Sequence, residues 1–211
     1  MKPLICHVEA AGEFRAVELT FATEAEVRRV RTWRKMSPAT DASEFASLAA
    51  KRWFYYTREG ATAASLGELR AAITRNARSE IAFLLVASAQ WAKRYQFLAL
   101  AYCRRSWCHH LVLDFLAVRP GLSFAGQPIR GLGTGMIFGL ASLADSLGVN
   151  VIWGEATASS APFYEKVLGT PAVKDFFIIR QGPMRRLRQR YLAKLKKRLA
   201  PSAWRDRKSV V

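Results

Sequence analysis

The stretch RGLGTG, residues Arg130–Gly135, decides the fold of this chain because it joins a strand-like run to a helix-like run. Residues 110–118 before it are apolar and rich in β-forming side chains, and residues 135–147 after it carry apolar side chains at helical spacing. A glycine-rich turn that opens a helix presents unpaired backbone N–H groups to phosphate, and Arg130 adds a permanent positive charge. The stretch therefore predicts a site for a phosphate-bearing ligand.

The spacing of the glycines excludes two common phosphate-binding loops. A dinucleotide loop needs a third glycine where this chain has Met136, and a triphosphate loop needs Gly-Lys followed by Ser or Thr, which the sequence lacks. The pattern that remains is Arg-x-x-Gly-x-Gly, formed by Arg130, Gly133 and Gly135. A strand-to-helix turn that needs glycine only for close packing stays open as an alternative.

A second motif follows Val149–Trp153, the next short strand-like run. Residues Ser159–Gly169 read SSAPFYEKVLG, with serine placed to cap a helix and glycine placed to close it. Arg-x-x-Gly-x-Gly, followed after a strand by Phe-Tyr-Glu-Lys, resembles the core of the GNAT superfamily, the acyl-CoA-dependent N-acyltransferases. The resemblance covers residues 81–180.

This resemblance implies an α+β fold. Its mixed, mostly antiparallel sheet of six to seven strands has splayed central strands and is flanked by helices, and here a basic C-terminal helix is added. The residue patterns agree with that order of elements. They predict strands at Phe14–Phe21, Ile81–Ala89, Phe97–Arg104 and Val173–Arg180, a helix from the capping box Thr23-x-x-Glu26 to about Met36, and further helices at Asp41–Arg58 and Leu66–Ala77.

The resemblance also implies acetyl-CoA, or another acyl-CoA, as the co-substrate. Its pyrophosphate is expected at the glycine turn, and its pantetheine arm is expected between two splayed strands, the first of which ends at Val118. The residues expected to bind the cofactor are Leu116, Ala117, Val118, Arg130, Gly131, Leu132, Gly133, Thr134, Gly135, Ser160 and Tyr164.

Three residues are candidates for catalysis. Tyr164 matches the position at which the resembled family often carries the tyrosine that protonates the leaving thiolate, and a packed aromatic residue whose hydroxyl reaches a backbone carbonyl is the alternative. The general base is open between Glu155, after the second splayed strand, and Asp114, within the first. Strand alternation places Asp114 on one face with Val112 and Leu116, where an ion pair with an arginine is an equal alternative.

The chain departs from the family pattern in two places. Residues 119–129 form a longer connection than the family usually has, and we expect this loop near the mouth of the cofactor site. Thr157 stands where relatives often carry an asparagine. Both departures bear on the substrate and leave the phosphate site intact.

Composition sets the outer limits. The 211 residues are 51% hydrophobic, which suffices for the core of one domain. The longest apolar run of its kind, Ile81–Ala89, is too short to span a membrane, and a signal-peptide core is lacking. Three cysteines are an odd and sparse set, which favours a cytoplasmic location. One cluster has the spacing of half a zinc site, namely Cys103, Cys108, His109 and His110. A structural zinc site normally needs a second pair of ligands from elsewhere in the chain, so we expect no metal.

The net charge of +17 is concentrated near the C-terminus. Residues 183–211 contain eleven basic residues and only Asp206 against them, so this segment carries +10 of the total. Apolar residues recur every three or four positions from Met184 to Leu199, which predicts one apolar stripe on a basic helix. We therefore divide the chain into a GNAT-like domain, 1–182, and a basic tail that contacts nucleic acid or ribosome, lies on an anionic membrane, or is a solvated appendage.

Two functions from different classes follow. The first is an acyl-CoA-dependent N-acyltransferase, most simply an acetyltransferase, in which an amine attacks the thioester directly; the basic surface favours an acceptor that is anionic overall. The second is a catalytically weak or inactive GNAT-like binding protein that acts through its basic tail. The aromatic group Trp53–Tyr56 either lines the acceptor site or packs in the core, and its helical setting favours the core. An oligomer is compatible with the sequence.

Overall fold

In a computed structural model, the chain is described over residues 4–35 and 41–199, without the side chains of residues 34 and 35. The described residues form the strands β1 (Leu4–Ala10), β2 (Glu13–Phe21), β3 (Ile81–Ser88), β4 (Ala99–Arg105), β5 (Leu111–Val118), β6 (Ser123–Phe124), β7 (Gln127–Pro128), β8 (Val151–Glu155) and β9 (Phe176–Arg180). The helices are α1 (Glu24–Val30), α2 (Asp41–Arg58), α3 (Leu66–Arg75), α4 (Leu132–Ser146), α5 (Ala161–Leu168) and α6 (Gln181–Leu199), with 3-10 segments at Arg31–Lys35 and Gln90–Ala92.

Seven strands form one sheet in the order β1-β2-β3-β4-β5-β8-β9. β5 and β8 run parallel, and the other neighbouring pairs are antiparallel. The crossover from β5 to β8 passes through α4, because parallel neighbours need a long connection. The predicted α+β class and the mostly antiparallel sheet are confirmed. The edge strand β1 and the small β6–β7 hairpin within residues 119–129 were not predicted.

Two hydrophobic cores lie on opposite faces of this sheet. α1, α2 and the 3-10 segment between them cover one face, where Trp33, Trp53 and Leu100 are buried. α3, α4, α5 and α6 cover the other face, where Phe83 and Leu140 are buried. Because helices cover both faces, β3 is buried along all but its last residue, which explains why it reads as one continuous apolar run.

Local signals place the first helices. Glu26 accepts a hydrogen bond from the Thr23 amide at 2.7 Å, which is the reciprocal half of the predicted capping box. The predicted end of this helix near Met36 lies outside the described residues. The second helix has the predicted bounds, Asp41–Arg58.

A β-bulge interrupts the pairing of β4 with β5. The register shifts between Tyr102 and Cys103 of β4, so that Asp114 is the extra residue on β5. Leu113 packs into the core on the α4 side, and Leu116 does so three residues later. Strict alternation placed Asp114 and Leu116 on the same face, and the bulge makes that expectation wrong.

The basic helix α6 packs against the same face of the sheet as α4. Met184 and Leu187 are each 4% exposed, and Tyr191 stacks on Phe138 of α4 with ring centroids 4.1 Å apart. The first half of the predicted apolar stripe is therefore a docking face, while residues 200–211 lie outside the described part of the chain. No described helix, α6 included, is long and apolar enough to cross a membrane.

Candidate functional site

The glycine turn begins α4 with unpaired amides. Gly131, at the N-cap, has φ 92° and ψ 2°, a left-handed conformation that glycine adopts without strain. The amide of Gly135 donates to the carbonyl of Gly131 at 2.9 Å, which closes the first turn of the helix. The amides of Leu132, Gly133 and Thr134 precede this bond and are therefore available to an anion.

Close packing accounts for the last glycine of the motif. A Cβ at Gly135 would lie 2.7 Å from the sulfur of Cys6 on β1, so only glycine lets the helix approach this strand. Because the Gly135 amide already donates within the helix, it is not available to a ligand, which corrects the expectation for this residue. A Cβ at Gly133 would meet the ring of Phe163 at 3.0 Å, while the Gly133 amide stays available.

A cavity of about 710 Å³, named here the cationic cavity, opens in front of these amides. Residues Arg130–Thr134 line one side of it, and Lys166 of α5 with Arg190 and Lys194 of α6 supply further positive charge. Arg130, the first residue of the turn, forms two backbone hydrogen bonds with Glu9 of β1, at 2.9 and 3.0 Å. They fix the turn against the sheet. The cavity therefore combines free amides with cations from three elements.

A second cavity of about 700 Å³, named here the acidic cleft, has the opposite charge. Asp114, Glu155 and Asp175 line it, and among the described residues no lysine or arginine does. The rest of its wall is largely aromatic, formed by Phe45, Phe115, Trp153, Tyr164 and Phe176. Such a lining suits a ligand that carries positive charge together with an apolar part.

β5 and β8 separate between the two cavities. They pair only over Leu111–Leu113 of β5 opposite Ile152–Gly154 of β8, and in the described chain no strand pairs with the rest of β5 on that side. Leu116 borders the acidic cleft and Val118 borders the cationic cavity, whereas the Ala117 side chain is buried in the core on the α2 side. The splayed central strands are confirmed, and the open end of β5 runs from one cavity to the other.

Tyr164 lies on α5 and borders the acidic cleft. Its side chain is 5% exposed and stacks on Phe177 with ring centroids 4.2 Å apart. Burial raises the pKa of its hydroxyl, so the phenol stays protonated at neutral pH. Within the described chain this hydroxyl has no hydrogen-bond partner, in contrast to the alternative of a hydroxyl held by a backbone carbonyl. It is therefore able to donate a proton to a ligand in the cleft.

Glu155 and Ser160 border the cleft from the segment that joins β8 to α5. Glu155 is the exposed last residue of β8. Ser160 occupies the N-cap of α5, but its hydroxyl accepts from the Thr157 amide at 2.9 Å and makes no capping hydrogen bond to the helix. These contacts hold the turn in one conformation beside the cleft.

Asp114 is bound by two arginines. Arg104 donates to both carboxylate oxygens, at 2.7 and 2.8 Å, and Arg52 of α2 donates to one of them at 3.1 Å. The hydrogen bonds to Asp114 raise the pKa of Arg104. Arg104 also donates to Glu80 at 3.1 Å, and Glu80 accepts from the Tyr56 hydroxyl. The ion pair that the sequence left as the alternative for Asp114 is thus present.

The structure adds site residues that the motifs did not indicate. Phe45 of α2 and Asp175 before β9 border the acidic cleft, and Arg190 and Lys194 of α6 border the cationic cavity. No local pattern marks them, because elements distant in the sequence bring them to the site. The aromatic group Trp53–Tyr56 does not line the cleft, and its first residue is buried in the core on the α2 side.

The cysteine and histidine cluster is split by the fold. Cys103 is buried within β4, and Cys108 is exposed in the turn between β4 and β5. The ring nitrogen Nδ1 of His109 accepts from Arg105 at 3.1 Å. Within residues 4–35 and 41–199, no group of three or more His, Cys, Asp or Glu side chains is placed to hold a metal ion.

Comparisons with known proteins agree with this architecture. No protein-family model matches the sequence, and no curated protein matches it either. Among solved structures, one from Desulfovibrio desulfuricans, described as an acetyltransferase of the GNAT family, is 9% identical and superposes with a TM-score of 0.50 over 78% of this chain and 99% of its own. The chain therefore has the GNAT fold.

Two further solved structures are similar at lower scores. A spermidine N-acetyltransferase from Vibrio cholerae is 9% identical over 79% of this chain and 94% of its own, with a TM-score of 0.46. The structure of yncA from Salmonella typhimurium with acetyl-CoA is 13% identical over 79% of this chain and 95% of its own, with a TM-score of 0.44.

Proposed function

We propose that this protein transfers an acyl group, most simply acetyl, from acyl-CoA to an amine. The observation that carries the proposal is the opening between β5 and β8, which lies between free helix amides at one end and the unpartnered Tyr164 hydroxyl at the other. A long ligand with phosphate at one end and a reactive group at the other fits this arrangement. The GNAT fold supports the same reading by analogy.

In this proposal acyl-CoA lies along the open end of β5. The pyrophosphate accepts hydrogen bonds from the amides of Leu132, Gly133 and Thr134 and faces the side chain of Arg130. The pantetheine arm pairs with the backbone of Leu116–Val118, which is bonded to β4 on one side and, in the described chain, has no strand partner on the side that faces β8. The thioester then reaches the acidic cleft beside α5.

The chemistry needs two proton transfers. A neutral amine attacks the thioester carbonyl carbon, the new C–N bond forms, and the C–S bond breaks as the tetrahedral intermediate collapses. Glu155 accepts the proton that the attacking nitrogen loses, directly or through one water, and Tyr164 gives its proton to the leaving sulfur. Glu155 then releases its proton to solvent, and solvent restores the proton on Tyr164. Ser160 keeps the turn beside the thioester in place.

We further propose that the acceptor carries a positively charged group in addition to the neutral amine that attacks the thioester. Glu155 and Asp175 border the cleft and form no ion pair in the described chain, whereas the charge of Asp114 is balanced by Arg104 and Arg52, which do not line the cleft. The net charge of the whole chain favoured an anionic acceptor. The charges that line the cleft, however, lie closer to the acceptor and are less screened by salt than those on the distant surface. The local lining therefore outweighs the global charge.

Titration calorimetry with acetyl-CoA tests the cofactor site. We expect wild type to bind and Arg130→Ala to bind roughly three- to tenfold more weakly, since one charge-assisted contact to phosphate is lost. Arg185→Ala is the matched control, because Arg185 is exposed on α6 and does not line the cationic cavity. Absence of binding to wild type refutes the proposal, and equal effects of the two variants refute the role of Arg130.

The acceptor is tested by release of CoA thiol in the presence of different amines. We expect linear diamines and polyamines to support release, and glutamate, whose own carboxylates meet the acidic cleft, to support much less. Preferential acylation of the acidic amine would overturn the proposed acceptor class and leave the cofactor site untouched. Binding of acetyl-CoA without transfer to any amine would favour the alternative of an inactive GNAT-like binding protein.

A further inference from the structure

One face of α6 forms a wall of the cationic cavity. Leu187, Arg190, Tyr191, Lys194 and Leu195 all line it, at positions that repeat every three or four residues and therefore lie on one side of the helix. Cations elsewhere on α6, such as those at 185, 186, 196 and 197, do not line it. The segment that the sequence suggested as a separate tail is thus continuous with the phosphate site.

Several contacts hold this face of α6 in place. The Tyr191 hydroxyl accepts from the His7 amide at 2.7 Å and donates to the His7 carbonyl at 2.9 Å, which ties the helix to the edge strand β1. Arg188 forms an ion pair with Asp145 of α4 at 2.6 Å. Arg190 donates to the carbonyl of Leu168 at 3.0 Å, at the C-terminal end of α5. The cations that face the cavity are therefore carried on a fixed support.

The positive charge of the cavity exceeds what one pyrophosphate requires. Arg130 and the free amides of α4 serve one end of the cavity, while Lys166, Arg190 and Lys194 come from α5 and α6. Within the described chain, Lys166 and Lys194 form no ion pair, and Glu9 is the carboxylate that lines the cavity with them. Cations without partners that share a cavity of this size suit a ligand with a second phosphate group.

We propose that α6 binds the 3′-phosphate of CoA, chiefly through Lys194 with Arg190 beside it. The inference rests on the proposed function, because it assumes that the cavity holds the nucleotide end of acyl-CoA. The pyrophosphate accepts hydrogen bonds from the amides of the glycine turn. The 3′-phosphate, on the ribose of the same nucleotide, lies against α6. The C-terminal helix then selects CoA over analogues that lack this phosphate.

The test compares CoA with 3′-dephospho-CoA by titration calorimetry at one ionic strength. Wild type is expected to bind CoA about tenfold more tightly than 3′-dephospho-CoA, the range of one charge-assisted phosphate contact. Lys194→Gln is expected to lose most of this preference and to bind 3′-dephospho-CoA within about twofold of wild type. Lys194 is exposed and has no partner in the described chain, so its substitution is not expected to impair folding.

Lys196→Gln is the matched control, because it removes the same charge from an exposed position of the same helix outside the cavity. The inference fails if wild type binds both ligands equally, or if Lys194→Gln and Lys196→Gln change the preference equally, which would indicate a general effect of net charge. Both of these results leave the proposed function standing. Wild type that binds neither ligand refutes the proposed function itself.

Discussion

At the scale of single residues, Asp114 and Glu155 border the same cleft but have different surroundings. The Asp114 side chain is 10% exposed and is bound by Arg104 and Arg52. Glu155 is exposed at the end of β8, and in the described chain it forms no ion pair. Both carboxylate oxygens of Asp114 already accept hydrogen bonds from arginine, whereas the carboxylate of Glu155 is exposed and open to an attacking nitrogen. We therefore propose Glu155, rather than Asp114, as the general base.

Two substitutions separate these roles. We predict that Glu155→Gln lowers kcat by about 10²-fold, the smaller end of what general bases contribute, and leaves the melting temperature unchanged. Asp114→Asn is expected to lower the free energy of unfolding by about 1–3 kcal/mol, because two arginines lose their charged partner. Steady-state kinetics and urea unfolding measure the two effects. Loss of transfer in Asp114→Asn at wild-type stability would instead assign the base to Asp114.

The Tyr164 hydroxyl gives a second prediction at this scale. Tyr164→Phe is expected to lower kcat by about 10²- to 10⁴-fold, since the leaving thiolate loses its proton donor. Affinity for acetyl-CoA and the melting temperature are expected to stay at wild-type values, because the hydroxyl has no partner in the described chain and the ring stacking remains. Calorimetry and single-turnover kinetics test this. Wild-type kcat in the variant would show that Tyr164 only packs.

At the scale of elements, the contact of α4 with β1 positions the proposed phosphate site. The backbone carbonyl and amide of Arg130 form hydrogen bonds with the backbone of Glu9 on β1. Gly135 lets the helix approach Cys6 on the same strand. One edge strand therefore fixes both the turn and the axis of the helix that follows it. Displacement of α4 from β1 is expected to move the free amides with it.

Gly135→Ala tests this packing. We expect it to lower the free energy of unfolding by about 1–3 kcal/mol, because the new methyl group overlaps with the sulfur of Cys6. Gly67→Ala is the matched control: Gly67 lies in α3, its nearest neighbour to a new Cβ is the Ser65 hydroxyl at 3.8 Å, and the change is expected to stabilise by up to about 1 kcal/mol. Urea unfolding of both variants decides the matter. Equal stability of the two would contradict the close approach.

At the scale of the whole molecule, two cores share one sheet and two cavities divide the charge. Acidic groups border the cleft at one end of β5, while α4, α5 and α6 place cations around the cavity at its other end. The face of the sheet that α4 and α6 cover also buries Cys6 and partly buries Tyr191, whose side chains ionise only at high pH. Burial raises the pKa of the Cys6 thiol and of the Tyr191 hydroxyl to about 12 each.

These raised pKa values predict a loss of stability in alkaline solution. The ordinary pKa of the thiol is 9.0, so the unfolded chain loses this proton first, and stability is complete below about pH 9 and falls as pH rises toward 12. Each such group contributes a slope of about −1.4 kcal/mol per pH unit in that window. Cys6→Ala should remove the contribution of one group, about 1.4 kcal/mol per pH unit, from the slope of stability against pH. Cys108→Ala, at an exposed position, should leave the slope unchanged. An unchanged slope in Cys6→Ala would contradict the buried thiol.

Motifs with a local cause were predicted correctly. The bounds of α2 were predicted from a capping residue at its start and from Gly60 after its end, and the glycine turn and the Phe-Tyr-Glu-Lys helix were placed in the right order on either side of β8. The orientation of Asp114, in contrast, was predicted wrongly. Its face depends on a bulge against β4, and a bulge is a property of the pairing of two strands, which the sequence of one strand does not encode.

The sequence by itself determined the class of fold, because apolar periodicity and glycine spacing act within single elements. It also predicted free amides where the glycine turn opens the next helix. Only the tertiary structure decided that Gly135 packs on Cys6, that Asp114 is paired, and that α6 lies against the cationic cavity. These outcomes depend on contacts between residues far apart in the chain, as the hydrogen bonds of Tyr191 to His7 do, and no local pattern carries that information.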